Sequence, residues 1–236
     1  MAIDDLPLPV VNFLNTIGVP WPYIDESTVT QFATLTRQFA QAVQTTHDDA
    51  TQAINGIAQA HQGESTQAMR SGWQSMSDNH VSMLITGCHV LADALDVAAG
   101  YIIAQKVEAI AVLIGMATAF VADQVAAVAT AGLAELAVPL IVLAAQRVVK
   151  SLVLTIQQYI IAKVIEAAAQ PLFAKVEAAM AGLDWSKSGA APSGDSTGFS
   201  VDPQAVQAHT AALRGFAATM RTAGGTYQQG VQGLNF

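Results

Sequence analysis

The stretch AHQGESTQAMRSGW, residues 60–73, decides how this chain folds. Upstream, apolar residues recur at Val29, Phe32, Leu35, Phe39, Val43, Ile54 and Ile57, spaced by threes and fours as on one helix face. That spacing predicts a helix over 28–59, roughly 45 Å long, with Ser27 or Thr28 as N-cap. Gly63, Glu64 and Ser65 interrupt the pattern, which resumes from Thr66 through Met69, Trp73, Met76, Met83 or Leu84, Cys88, Leu91, Leu95 and Ala98. Two long amphipathic helices joined by a few residues make an antiparallel hairpin. Each has a single apolar stripe, so the pair needs a further helix or a partner to cover the remainder. Gly63 is expected to take the positive φ that a tight reversal after a helix often needs. A large ring at 61 or 73 would cap the groove at the hairpin end. A second reading, with Trp73 as a core aromatic and His61 as an exposed turn residue, is compatible with the first.

Composition sets the limits. Just over half of the 236 residues are apolar, and only 12% are charged. Ala supplies much of the apolar share and, with Leu, Gln and Glu beside it, points to an all-α protein. A net charge of −8 argues against nucleic acid, which needs clustered Lys and Arg. It disfavours a basic membrane-surface helix as well. The single cysteine, Cys88, excludes an internal disulfide and reads as a small buried residue. The N-terminus opens with acids and is broken by prolines, so no secretory signal peptide is legible and export requires another route.

Four segments are expected. Residues 1–26 read as an irregular, proline-rich leader in which Trp21, between Pro20 and Pro22, forms a docking strap. Residues 27–183 hold the hairpin and a hydrophobic helical region, with helices over about 101–130 and 140–181 separated at Gly132 and Pro139 and a further kink or boundary at Pro171. Between Ala109 and Val149 the charges are Asp123, Glu135 and Arg147. The charge-free run 109–122 falls short of the roughly 18 residues of a spanning helix, so core helices are favoured over membrane spans. The echo between YIIAQKVEA (101–109) and YIIAKVIEA (159–167) reads as drift of Ala-rich helices rather than duplication. Residues 184–198 form a flexible Ser/Gly/Pro linker, and 199–236 a C-terminal segment whose helix, capped by Asp202 with Pro203 at its first position, is expected to end at Gly224-Gly225. The fold class is all-α: an elongated antiparallel hairpin or bundle of long amphipathic helices, plus a C-terminal helix after a flexible linker.

Residues 28–102 resemble the WXG family of type VII (ESX) secretion substrates of actinobacteria and their relatives, helical hairpins with a Trp-x-Gly turn and a second Trp about ten residues on. Here the turn reads His61-Gln62-Gly63, with Trp73 at the second aromatic position and His61 in place of the first Trp. VDPQAVQAHTAALRGFAATMRTA, 201–223, resembles the first helix of WXG-like and short secretion-associated proteins. The resemblance implies export by the signal-peptide-independent type VII route from the cytoplasm, a small helical WXG-like partner or the ESX machinery, and a stand-alone substrate or the N-terminal targeting part of a larger effector. Many family members carry Tyr-x-x-x-Asp/Glu, but here Tyr23, Tyr101 and Tyr159 are followed four residues on by Ser27, Gln105 and Lys163. That absence points to a partner supplying the signal.

Catalytic motifs are missing: no Gly-x-Ser-x-Gly, P-loop, dinucleotide fingerprint or His-Glu-x-x-His occurs. No enzyme activity, metal or cofactor is expected, His89 and Asp93 being read as a surface polar pair rather than half a metal site. Met69, Met76 and Met83, seven apart, form a row suited to a partner helix, although ordinary core packing is the favoured explanation. The alternative function is a membrane-active protein that inserts 101–181 as a pore, and a third reading is a scaffold that homo-oligomerises.

Overall fold

The computed structural model describes residues 6–61, 63–129, 138–181 and 203–234, and every regular element among them is helical. In chain order these are α1 (Leu8–Ile17), α2 (Glu26–Ala60), α3 (Glu64–Met76), α4 (Ser82–Ala129), α5 (Val138–Tyr159), α6 (Gln170–Ala181) and α7 (Pro203–Gln232). π-Helical turns at Ser77–Val81 and Ile160–Ala169 join α3 to α4 and α5 to α6 without a break. The all-α class is as the composition implied.

Several boundaries differ from the sequence reading. The leader holds a ten-residue helix, because Pro9 falls in the first turn of α1, where its missing N–H costs nothing. Gly18 closes that helix with φ 68° and ψ 29°, its N–H and that of Val19 turned back onto Asn15 and Leu14 carbonyls. No break separates 98 from 101, since the buried stripe of α4 runs on through Ala98, Ile102 and Leu113 past Gly100. Pro171 lies inside the helix: the wide π turns before it give its ring room against the carbonyl four residues back. Gly132, the linker 184–198 and Asp202 lie outside the described residues.

The chain divides into two compact units. Unit 1 comprises Met1–Gln31, Ala94–Ile165 and Asn235–Phe236. In it Phe13 of α1 packs against Phe120 of α4 with ring centroids 5.5 Å apart, and Tyr101 stacks on Tyr159 of the antiparallel α5 at 3.9 Å. The two echoed YIIA segments thus meet at their tyrosines. α2 starts under a cap two residues before Ser27, the earlier of the two expected positions. The Asp25 carboxylate accepts from the Ser27 and Thr28 N–H groups at 2.8 and 3.3 Å, and both hydroxyls donate to it instead of capping. These bonds hold the Asp25 carboxyl at about 2.

Glu26, the next residue, is buried, and its Oε2 accepts from Lys106 Nζ at 2.6 Å. Lys106 is 0% exposed and occupies an otherwise apolar stripe of α4 that includes Leu95, Ile102 and Leu113. By length and composition, Ser82–Val125 and Val138–Glu177 are long and apolar enough to cross a membrane, a possibility that counting charge-free runs understated.

Unit 2 comprises Phe32–Asp93 and Glu166–Leu234. α2 runs antiparallel to α3 and the start of α4: Trp73 meets Thr51, Ser77 meets His47, and Arg37 Nη2 donates to Asp93 Oδ1 at 2.7 Å. Leu172 of α6 sits where a side chain at Gly87 would project. α7 packs on α2, with Tyr227 stacked on Phe39 at 4.9 Å and its Oη 3.1 Å from Thr36 Oγ1. It continues past Gly224-Gly225 to Gln232, because contacts on both sides of the pair outweigh the roughly 1 kcal/mol that each helical glycine costs. Beyond the pair, Gly230 lets Leu35 approach to a distance that a Cβ would forbid.

Two outcomes follow from unit 1. Removing one member of the ion pair leaves a buried charge without its partner, so Lys106→Ala should lower unfolding stability by roughly 3–5 kcal/mol, while Lys106→Met with Glu26→Leu should recover most of it. Denaturant titration reads both, and an unchanged Lys106→Ala midpoint would contradict the pair. The Asp25 carboxyl titrates lower in the folded chain than its ordinary 3.8, so the unfolded state binds more protons between pH 4 and 2. The stability from this cap is complete above about pH 4 and is lost as pH falls towards 2. Asp25→Asn should flatten that part of the pH–stability curve.

Candidate functional site

The residues singled out around 60–73 fall at the α2–α3 turn and along the first helical turns after it. α2 ends with the His61 N–H on the Ile57 carbonyl at 2.9 Å. His61 itself is only 5% exposed, so the ring at this motif position is packed inside rather than presented to solvent. Gly63 precedes α3 with φ 167° and ψ 165°, extended backbone open to any residue, and a side chain there would meet nothing within 4 Å. The left-handed conformation expected of it is absent, since α2 ends at Ala60 and an extended Gly63 re-aims the chain into α3. Gln62 lies outside the described residues.

Trp73, half-buried, reaches back along α2 rather than over the turn. Its Nε1–H donates to Thr51 Oγ1 at 2.9 Å, and its ring stacks on His47 at 5.3 Å with 14° between planes. His47 Nε2 in turn lies 2.7 Å from Ser77 Oγ, the first residue of the π turn. These four residues form a clasp between the two arms of the hairpin. His47, Thr51 and Ser77 border an open polar cleft with Gln44, Asp48, Ser82 and Thr86. His47, Thr51 and Ser77 were missed in the sequence because nothing in the apolar spacing marks them. Their spacing from Trp73 becomes meaningful only once the antiparallel register is known.

The methionine row does not survive intact. Met69 and Met76 are half-buried on α3, but the π turn between 76 and 83 rotates everything after it by about a quarter turn relative to an unbroken α-helix, and Met83 is exposed. Pro203 opens α7, as placed from the sequence. His89 is exposed and Asp93 is held by Arg37. Among the described residues no three His, Cys, Asp or Glu side chains gather at metal-binding distance. Cys88 is buried, and burial pushes its thiol up to about 11, which leaves it inert rather than nucleophilic.

A family model described as a WXG100 like domain matches residues 4–156. The match spans α1 to most of α5, further than the hairpin alone, and ends before α7. No curated protein and no solved structure matches the chain.

The clasp and the turn make opposite demands on substitution. Gly63→Ala should leave stability unchanged or raise it by up to about 1 kcal/mol, since extended backbone suits Ala and the unfolded chain loses freedom. Trp73→Phe keeps a stacking ring but strands Thr51 without its donor, and should cost about 1 kcal/mol. Thermal melts of the two variants should therefore move in different directions, and a destabilised Gly63→Ala would require a backbone other than the one described.

Proposed function

We propose, from the premise that this chain belongs to the WXG100-like family and so is related to type VII secretion, that it is a non-enzymatic secretion substrate acting through helical packing with a small helical partner. The observation that carries this reading is the family match over 4–156 together with the hairpin clasped by Trp73, His47, Thr51 and Ser77. In it, His61, Gly63 and Trp73 are the turn motif, and Met69 and Met76 offer adaptable side chains to the partner from α3. Met83, turned off that row, extends the contact on a neighbouring face. The chain carries none of the Tyr-x-x-x-Asp/Glu signals described above, so the partner provides the export signal for both. Fused to a downstream domain, the same module would serve as the targeting part of a larger effector.

Co-expression with the small helical proteins encoded beside it, followed by size-exclusion chromatography with light scattering, tests the partnership. A one-to-one complex is expected, weakened by Met69→Glu with Met76→Glu. Culture filtrates provide the second arm: the chain should appear outside the cell with an intact secretion apparatus and its partner, and stay inside without either. A chain that ignores every neighbour and is retained in both backgrounds would overturn the reading.

A further inference from the structure

Among the described residues, one face of α4 and α5 in unit 1 stands exposed. Val97, Val107, Ile114, Val121 and Val125 of α4 are all exposed and fall at spacings of ten, seven, seven and four residues, with only Gly, Ala and Thr at the intervening stripe positions. From Val107 to Val125 the stripe carries no charge over about 27 Å. α5 adds exposed Leu140, Leu143 and Leu154, and only 17% of its most apolar window is buried. An apolar helix face of this length belongs against a protein core or in lipid, and these exposures exclude the core. Gln105, Glu108, Ser151 and Thr155 line the groove between α4 and α5, polar groups placed between helices as in association within a hydrocarbon surrounding, while Arg147 and Lys150 stand on the exposed face of α5.

We propose that this outer face of α4 and α5 beds into the hydrocarbon of a lipid bilayer. Composition selects lipid over protein. The stripe is Val, Ala, Gly, Ile and Thr, without the Trp, Tyr, Met or Arg anchors on which protein interfaces depend. A second copy would have to associate through the same poor surface, and on α5 it would bring Arg147 and Lys150, which share the face of Leu143 and Leu154, against their own equivalents. Against a bilayer, those two long cationic side chains extend to the headgroups while their stems stay with the apolar face. The net charge of −8 makes a zwitterionic surface more favourable than an anionic one. The inference is independent of the secretion reading, since its test includes no partner protein.

The full chain is mixed with phosphatidylcholine vesicles and floated on a density gradient. In a Cys88→Ala background, an environment-sensitive fluorophore is attached through Ile114→Cys or, as control, through Gln207→Cys on the exposed face of α7. The chain should float, with the probe at 114 blue-shifted and quenched by spin-labelled lipid and the probe at 207 unaffected. Ile114→Lys with Val121→Lys changes two exposed residues, so circular dichroism should be unaltered while co-flotation falls at least tenfold. The proposal is overturned by a chain that stays with the unbound protein, by equal flotation of the double variant, or by a probe at 114 that is shielded without lipid as the mass doubles, which would assign the face to a second copy.

Discussion

The ion pair between Lys106 and Glu26 sets the arrangement of unit 1. An ammonium group with no exposure, placed in a stripe of Leu95, Ile102 and Leu113, is tolerable only with a carboxylate against it. Glu26 fulfils this because it is the first residue of α2, immediately after the Asp25 cap. The two devices are coupled by sequence: the cap decides where α2 begins, and where α2 begins decides whether a carboxylate meets Lys106. Replacing both ions with apolar side chains often costs little, so the pair serves register more than stability. Sliding α4 by one residue would carry Lys106 off the stripe and leave Glu26 buried alone, whereas the Ala, Val and Ile around them would accept many neighbouring registers.

Much of this was legible in the sequence, and the parts that were not have physical causes. The stripe of Cys88, Leu91, Leu95 and Ala98 is buried as the spacing required. On α2 the pattern was right but divided between neighbours. Val29, Val43 and Ile54 are buried with small Ala33, Ala40 and Thr36, whereas Leu35 and Phe39 turn to α7. Periodicity weighs large apolar residues and so passes over a stripe built from alanine and threonine. Lys106 was invisible for the same reason, because a charge at a core position looks like a break until its partner 80 residues away is in view. Proline and glycine misled where helix context reversed their usual meaning, at Pro9 and Gly224-Gly225, whereas Pro171 marks the change from π-helical turns to α6.

At the candidate site the sequence located the place but not its working parts. His61, Gly63 and Trp73 mark the end of the hairpin, yet the groups in contact are Trp73, His47, Thr51 and Ser77. Their polar side chains have no periodicity to detect, and their encounter depends on a register that the turn alone does not specify. The methionine row shows the converse. A heptad pattern presupposes an unbroken α-helix, and a single π turn at 77–81 redirects everything beyond it.

The inner and outer faces of α4 make different commitments. The inner face is specific: a lysine, two rings at Tyr101 and Phe120, and large residues at Ile102 and Leu113 each have one place to go. The outer face is apolar yet undemanding, with small and β-branched side chains that interlock with nothing in particular. Specific recognition of a protein needs shape and polar anchors, and such groups are concentrated at the hairpin clasp in unit 2, where His47, Ser77, Thr51 and Asp48 border a polar cleft. An apolar surface without anchors is suited to a fluid, non-directional environment. One helix can therefore hold the fold on one side and meet lipid on the other, because the groups that give α4 its register all point inward and leave the opposite side free of any packing requirement.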